Sequence, residues 1–442
     1  MNQQGVFSSA QIITQHPILM ASPELRFQYY GYLRKLIRLI KWDRRKYPKA
    51  QLSFYENILC GESVSQDKFE EWGAIRPYYY LLPFDVVAIL AYRKNAVRPD
   101  VLSKLIDQIT SDFKLPDKAT DILRVGFSAA FGNEQAWNNL SQNRNLKQHK
   151  EYLDLVRDNI SFINDRPYNI LITATMSAGK STLINAFAGK NISLMQNMAA
   201  TSKIHTVISK PFDDGVTTEY DSEISLDASK DELLTDNEDN RTTRIIVSTY
   251  FYGPIGGKRV IFYDSPGVTS SENSEHTEIT SKMLKSKKYK LLLYVINATQ
   301  LATTDEEEHL RFVANLIGRR KVLFVLNKID HLISEDESLP DVIARQKDFL
   351  KQHGFKAPVI CPVSAYAAYL TKKSRHEQLS QIEQFEIVNY INKFKRSSLS
   401  EYYEKELGYS KIPVTGNEVD DLYRNCGFAY LENIIGHYKE EE

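Results

Sequence analysis

The chain has 442 residues with 56 basic and 56 acidic side chains, so no global charge draws it to nucleic acid or anionic lipid. With 42% hydrophobic and 25% charged residues the composition is that of a soluble globular protein, long enough at about 150 residues per domain for two or three domains. Three scattered cysteines (Cys60, Cys361, Cys426) without metal-ligand spacing, no secretory-signal pattern and no apolar run long enough to span a bilayer give a cytoplasmic expectation, with peripheral membrane contact left open.

Residues 1–165 read as an all-α domain. "LRKLIRLIKWDRR" places Leu33, Leu36, Ile37 and Ile40 at helical spacing, which suits bundle packing better than a membrane-surface helix. "RPYYYLLPFDVVAIL" reads as core in preference to a partner surface. "PDVLSKLIDQITSDFKL" opens with Pro and Asp, fit for a first helical turn, and carries Val101, Leu105, Ile106 and Ile109 on one face. "HKEYLDLVRDNISFIND" is a further periodic stretch leading into the next region.

From residue 166 the texture changes. "YNILITAT", "KRVIFYDS", "KLLLYVINAT", "RKVLFVLNKID" and "APVICPVSA" are apolar nearly throughout, as strands covered on both faces are. Helical patterns separate them, so residues 166–442 are expected to form an α/β domain, a mostly parallel sheet with helices on both faces. The acidic "DDGVTTEYDSEISLDASKDELLTDNEDN" and the basic "SKMLKSKKYK" read as solvated surface segments.

Between the first strand and a helical "STLINAFAG" lies "TMSAGKST", which ends as a phosphate loop does but has Ala174 in place of the first glycine. Backbone N–H groups along Met176, Ser177, Ala178, Gly179, Lys180, Ser181 and Thr182 would cradle phosphates, the Lys180 ammonium would bridge β- and γ-oxygens, and the Ser181 hydroxyl would bind Mg²⁺. Ala174 adds one methyl, tolerable where the backbone is ordinary β.

Four further motifs follow in order. "AATSKIHTV" offers Thr201 to close on Mg²⁺ and the γ-phosphate, with Ser202 and Thr206 as neighbours of the same chemistry. "YDSPG" gives Asp264, which would hold Mg²⁺ through water, and Gly267, whose N–H would sense a γ-phosphate. "NKID" gives Asn327, Lys328 and Asp330. An acidic side chain there accepts from the N1–H and 2-amino groups of guanine, a donor pair that adenine lacks, while Lys328 lies over the base and Asn327 ties loops together. "CPVSA" gives Ser364 and Ala365, whose N–H would meet the guanine 6-oxo group. Ligands of such sheets bind at the carboxyl ends of strands, where three of these motifs fall, and the expected ligands are GTP or GDP with Mg²⁺.

Together "TATMSAGKSTLINAFAG", "AATSKI", "YDSPG" and "NKID" resemble the dynamin family, specifically its bacterial members, over residues 166–438. They are similar, less closely, to the ribosome-associated Era-like GTPases. The resemblance implies a P-loop GTPase with helices beside it, dimerisation through the GTPase domain of two copies or with a second dynamin-like chain, and action at membranes. No nucleic-acid partner is expected. Two departures stand out: Met176 occupies the loop position where animal dynamins carry a water-orienting glutamine, and Val268 the position used by Ras-like enzymes. Hydrolysis would then draw on Ser177, Thr201, main-chain groups, bound K⁺ or Na⁺, or a partner, with Lys180, Ser177 and Thr201 as the catalytic set. The alternatives are a non-hydrolysing GTP-dependent scaffold or regulator and a ribosome-associated Era-like GTPase. "CGFAYLENIIGHY" reads as the helix that closes the GTPase domain, with no long stalk after it.

Overall fold

The computed structural model describes residues 10–61, 72–90, 98–193, 204–221, 223–229, 231–233, 244–266, 274–286, 288–318, 320–332 and 338–441. The backbone forms two compact units, Met1–Arg166 with Pro211–Ala228, and Pro167–Lys210 with Ser229–Glu442.

The first unit is mainly helical. Its helix Pro23–Leu39 starts with Pro in the first turn and with the Ser22 side chain accepting from the Leu25 N–H, both ordinary helix-starting devices. Leu33, Leu36 and Ile37 are fully buried with Tyr29 and Tyr32, so the apolar stripe of the basic stretch is core. "RPYYYLLPFDVVAIL" becomes the 3₁₀ segment Gly73–Leu81 and the helix Leu82–Ile89, every residue of the latter buried. Within that helix Asp85 is a buried carboxylate with donors from separate segments. His16 Nε2 lies 3.0 Å away, the Tyr55 hydroxyl 2.9 Å and the Tyr152 hydroxyl 3.4 Å, and Tyr29 donates as well. Because His16 Nδ1 accepts the Ile18 N–H at 3.1 Å, its proton sits on Nε2 and points at Asp85. A buried charge supplied with this many donors holds its helices in one register.

The acidic insertion departs from its expected role as a solvated segment. Residues 211–228 group with the helices instead of with the sequence-contiguous 166–442 region. They contain the antiparallel pair β3 (Thr218–Tyr220) and β4 (Ile224–Ser225); Thr218 and Glu219 are buried, and Phe212 packs against the helical core. The physical reason is composition at finer grain: Phe212, Tyr220, Ile224 and Leu226 alternate with the acids and supply an apolar face.

In the second unit β1 (Tyr168–Ala174), β2 (Ile204–Ser209), β5 (Arg244–Thr249), β6 (Val260–Asp264), β7 (Leu291–Asn297), β8 (Lys321–Asn327) and β9 (Val359–Pro362) lie in the order β5-β2-β6-β1-β7-β8-β9. β1 runs parallel to β6 and β7, and β7, β8 and β9 continue parallel. β2 is antiparallel to β6 and parallel to β5. The expected, mostly parallel sheet is therefore present, with two extra strands, β2 and β5, whose mixed polar composition hid them. The basic segment is the end of the helix Ser274–Lys285 and its exit; Lys282, Lys285, Lys288 and Lys290 are exposed, while Leu284 and Tyr289 are buried. The helix Ala365–Lys373 is not a surface helix: Tyr369 is buried and Tyr366 is half-buried, donating to Glu386. Edge strand β9 is covered by Tyr402 and Tyr403, whose hydroxyls donate to the Ile360 and Pro362 carbonyls at 3.0 and 2.8 Å, which leaves those groups no outside partner to recruit.

After β1 comes the helix Lys180–Ala188. Near its C-terminus the Phe187 carbonyl accepts from Lys372 Nζ at 3.0 Å, a cation at the negative end of the helix dipole. Lys372 also pairs with Glu432 at 2.5 Å, both side chains wholly buried, and the Tyr423 hydroxyl donates to the other Glu432 oxygen. Burial pulls the Lys372 ammonium down and pushes the Glu432 carboxyl up, each opposed by its partner. Lys372→Met strands a buried carboxylate and is expected to cost about 3–5 kcal/mol. Glu432→Gln on the same background should recover much of it, with denaturant unfolding of the full chain as the measurement.

Candidate nucleotide-binding site

β1 carries the chain to Ala174, fully buried and still in extended strand paired with Val295. No positive φ is needed there, so the missing glycine leaves no strain. The turn comes later. Ser177 has φ 60° and Gly179 φ 93°, ψ 30°, a loop that curls N–H groups inward and feeds the helix opened by Lys180, Ser181 and Thr182. At Gly179 a Cβ would fall 2.3 Å from Asn327 Nδ2, so both its φ and its neighbour require glycine. Ser177 stands exposed at the loop tip and Met176 is half-buried.

Asp264 ends β6 directly beside β1, in register with Ile172. Burial pushes its carboxyl up to about 6 against the opposing pull of the neighbouring Lys180; Lys180 is itself pulled down by burial and held up by Asp264. Asp264 Oδ1 is buried and has no hydrogen-bond partner among the described residues. A carboxylate oxygen left open next to a helix N-terminus carrying the Ser181 hydroxyl fits a hydrated hard cation of the Mg²⁺ kind.

Asn327, at the end of β8, is almost fully buried. Its Nδ2 donates to the Ala178 carbonyl at 3.1 Å and its Oδ1 accepts the Ala365 N–H at 3.1 Å. One amide thus joins the phosphate loop to the loop after β9. The Ala365 N–H, expected to meet a base oxygen, is engaged by Asn327 instead, because the amide oxygen needs a donor once its nitrogen is committed to Ala178. Lys328 adopts φ 63°, and its Cε lies close to Gly179. Asp330, in the turn Ile329–Leu332, is mostly buried; its Oδ2 is 3.5 Å from the Tyr390 hydroxyl and from His331 Nε2, while Lys393 Nζ donates to its carbonyl at 2.6 Å. Ser364 is buried, its N–H donating to the Cys426 carbonyl at 3.1 Å. The next residue, Gly427 (φ 82°), approaches Pro362 so closely that a Cβ would sit 2.3 Å from its carbonyl. Gly427 caps the helix Phe428–Glu440, which thereby follows directly on the Ser364 contact.

Thr201, Ser202, Gly267 and Val268 lie outside the described residues. Thr206 belongs to β2, buried, its hydroxyl accepting from Arg244 at 3.3 Å, which takes it out of contention as the Mg²⁺-closing threonine. Asn185 was missed by sequence reasoning. On the phosphate-loop helix, its Oδ1 accepts from the Ile192 and Ser193 N–H groups at 3.0 and 2.8 Å, and anchors the chain just before the Thr201 stretch. A polar residue inside the apolar "LINAFA" was the available signal. Gly179→Ala is expected to weaken guanine-nucleotide binding by about tenfold or more, with the melting temperature nearly kept; titration with a fluorescent GDP checks it.

Residues 170–329 match the family model described as the dynamin family. No curated protein matches the chain. Among solved structures it is similar to a bacterial dynamin pair described as oligomerised and as a mechanism for long-range sensing and tethering of membranes, at 16% identity over 100% of this chain and 62% of that one, TM-score 0.37. It is also similar to Aquifex aeolicus Era bound to GDP.AlF4-, at 20% identity over 46% of this chain and 52% of that one, TM-score 0.28. Thus the chain spans less than two thirds of either. Over residues 170–329 the chain is thus similar to the dynamin family.

Proposed function

We propose that the chain binds Mg²⁺-GTP and hydrolyses it, slowly when alone, and that the nucleotide state switches the attached helical unit. The observation that carries this reading is the Asn327 amide, which joins a phosphate cradle at Ala178 to a loop beside the acidic base reader Asp330. In the reaction, water attacks the γ-phosphorus and the β–γ bridging oxygen leaves. N–H groups of residues 176–182 and the Lys180 ammonium offset the charge that develops on the phosphoryl oxygens. Ser181, Thr201 and Asp264 would hold Mg²⁺, which supplies further neutralisation of the β- and γ-oxygens when bound. Asp330 selects guanine through its two donor groups. Met176 has no group able to orient water, so that task falls to Ser177, Thr201, main-chain groups, K⁺ or Na⁺, or a second chain facing the nucleotide. Among the described residues no helix is long and apolar enough to cross a membrane, so membrane action would be peripheral.

The same Met176 favours a second reading, a GTP-dependent scaffold that does not hydrolyse. Single-turnover phosphate release, at rising protein concentration, with and without K⁺ and anionic vesicles, separates the two. Release that accelerates with concentration supports catalysis through dimerisation; none under any condition supports the scaffold. Lys180→Ala is expected to slow release by about 10²–10³-fold. Asp330→Asn should cost GTP affinity about 10–100-fold, the worth of charged hydrogen bonds to the base. Release by Lys180→Ala at the wild-type rate, or unchanged affinity in Asp330→Asn, contradicts the assignment.

A further inference from the structure

A polar row crosses the buried sheet beneath the helix Thr304–Ile317. Ser265 follows Asp264 at the end of β6, and its N–H donates to the Ile172 carbonyl at 3.1 Å. Thr173 stands next in β1 and is in register with Tyr294 of β7, which is in register with Phe324 of β8. The helix lays His309 over this row. Ser265 Oγ donates to Thr173 Oγ1 at 3.1 Å, and His309 Nε2 is 3.1 Å from the same Thr173 oxygen. The three side chains are 2%, 0% and 3% exposed.

The proton order follows from the donors. Thr173 Oγ1 accepts from Ser265, and with its own hydroxyl proton directed at His309 Nε2 the proton of the neutral ring lies on Nδ1. His309 Nδ1, Tyr294 Oη and Glu306 Oε1 are buried and have no hydrogen-bond partner among the described residues. The His309 and Tyr294 ring centroids are 5.5 Å apart, Glu306 lies one helical turn before His309, and its other oxygen accepts the Ala302 N–H at 2.8 Å. Burial and the Lys180 ammonium together hold the His309 ring down to about 3, so the ring is neutral and its Nε2 is available to accept. This arrangement is specific in a way that apolar filling is not: each hydroxyl is oriented by the next.

Its position gives it a consequence. Thr173 is the residue before Ala174, where β1 enters the phosphate loop; Ser265 is the residue after Asp264, where β6 enters the turn toward Gly267. We propose that His309 is a positioning residue for phosphoryl transfer: through the hydroxyls of Thr173 and Ser265 it fixes the spacing between the phosphate-loop strand and the Asp264 turn. The proposal rests on the Mg²⁺-GTP reading above. Misplacement of reacting or metal-holding groups by about an ångström costs rate far more than it costs binding.

The test uses the full chain and three variants, His309→Leu, His309→Gln and Thr173→Val, each measured for kcat, KM, fluorescent-GDP affinity and melting temperature. His309→Leu and Thr173→Val are expected to lower kcat about tenfold or more, the range seen when groups that orient metal-binding residues are removed, while GDP affinity stays within about threefold. His309→Gln places an acceptor near the Nε2 position and should restore kcat to within about threefold of wild type. A His309→Leu variant with wild-type kcat overturns the proposal. So does Gln failing as badly as Leu with equal loss of melting temperature, which would make His309 a packing residue only. If His309→Leu does not fold, Thr173→Val decides, and unchanged kcat there overturns it. If the wild type binds GDP without turning over GTP, the readout is the Mg²⁺ concentration that half-saturates nucleotide binding. His309→Leu should then raise it about tenfold, and no change overturns the proposal. A wild type that binds no guanine nucleotide instead refutes the functional reading, and this proposal with it.

Discussion

The site depends on one buried amide. Asn327 gives its donor to the phosphate loop and its acceptor to the loop after β9. The two loops come from opposite ends of the domain's sequence, and neither is held in place by its own turn chemistry alone. Gly179 exists in its left-handed conformation against this amide, and Lys328 turns through positive φ directly after it. Ser364 is steadied from behind by Cys426, so the C-terminal helix completes the same arrangement. A side chain that fills one hydrogen-bond role with each end fixes a distance, and that distance is what a nucleotide spanning phosphate and base sites requires.

Around that tie the electrostatics are arranged as opposed pairs. Lys180 and Asp264 each resist the other's neutralisation by burial. At the opposite end of the phosphate-loop helix, Lys372 meets the Phe187 carbonyl and is balanced by Glu432. The helix therefore has a cation at its negative end and the Ser177–Gly179 loop at its positive end, an orientation that favours anions at the loop. In the helical unit Asp85 plays a related part with His16, Tyr29, Tyr55 and Tyr152. The Asp85 and Glu432 carboxyls each take donors on both oxygens from separate segments, so loss of a single partner is felt across several of them.

What could be read without coordinates was what is local. "TMSAGKST", "YDSPG" and "NKID" carry their chemistry in consecutive residues at strand ends, and the apolar runs of β1, β6, β7, β8 and β9 announce strands buried on both faces. β2 and β5 escaped because "IHTVIS" and "RIIVST" interleave polar groups that hydrogen-bond inside the sheet, as Thr206 and Arg244 do. The acidic segment 211–228 misled because net charge masked an alternating apolar face. Ala365 was assigned to a base because its N–H is free in the sequence, whereas the fold gives it to Asn327. His309 gave no local signal: its partner Thr173 lies far away in sequence, and only the register of β1, β6 and β7 brings it under the helix.

The central claim is that this end of the sheet recognises a guanine nucleotide through Asp330. Calorimetric titration of the wild-type chain with GDP, IDP and ADP in Mg²⁺ tests it most directly, because IDP lacks only the 2-amino donor and ADP lacks both donors. GDP should bind tightest, IDP weaker by about tenfold or more, and ADP weakest of all. Equal affinity for GDP and ADP would contradict the account.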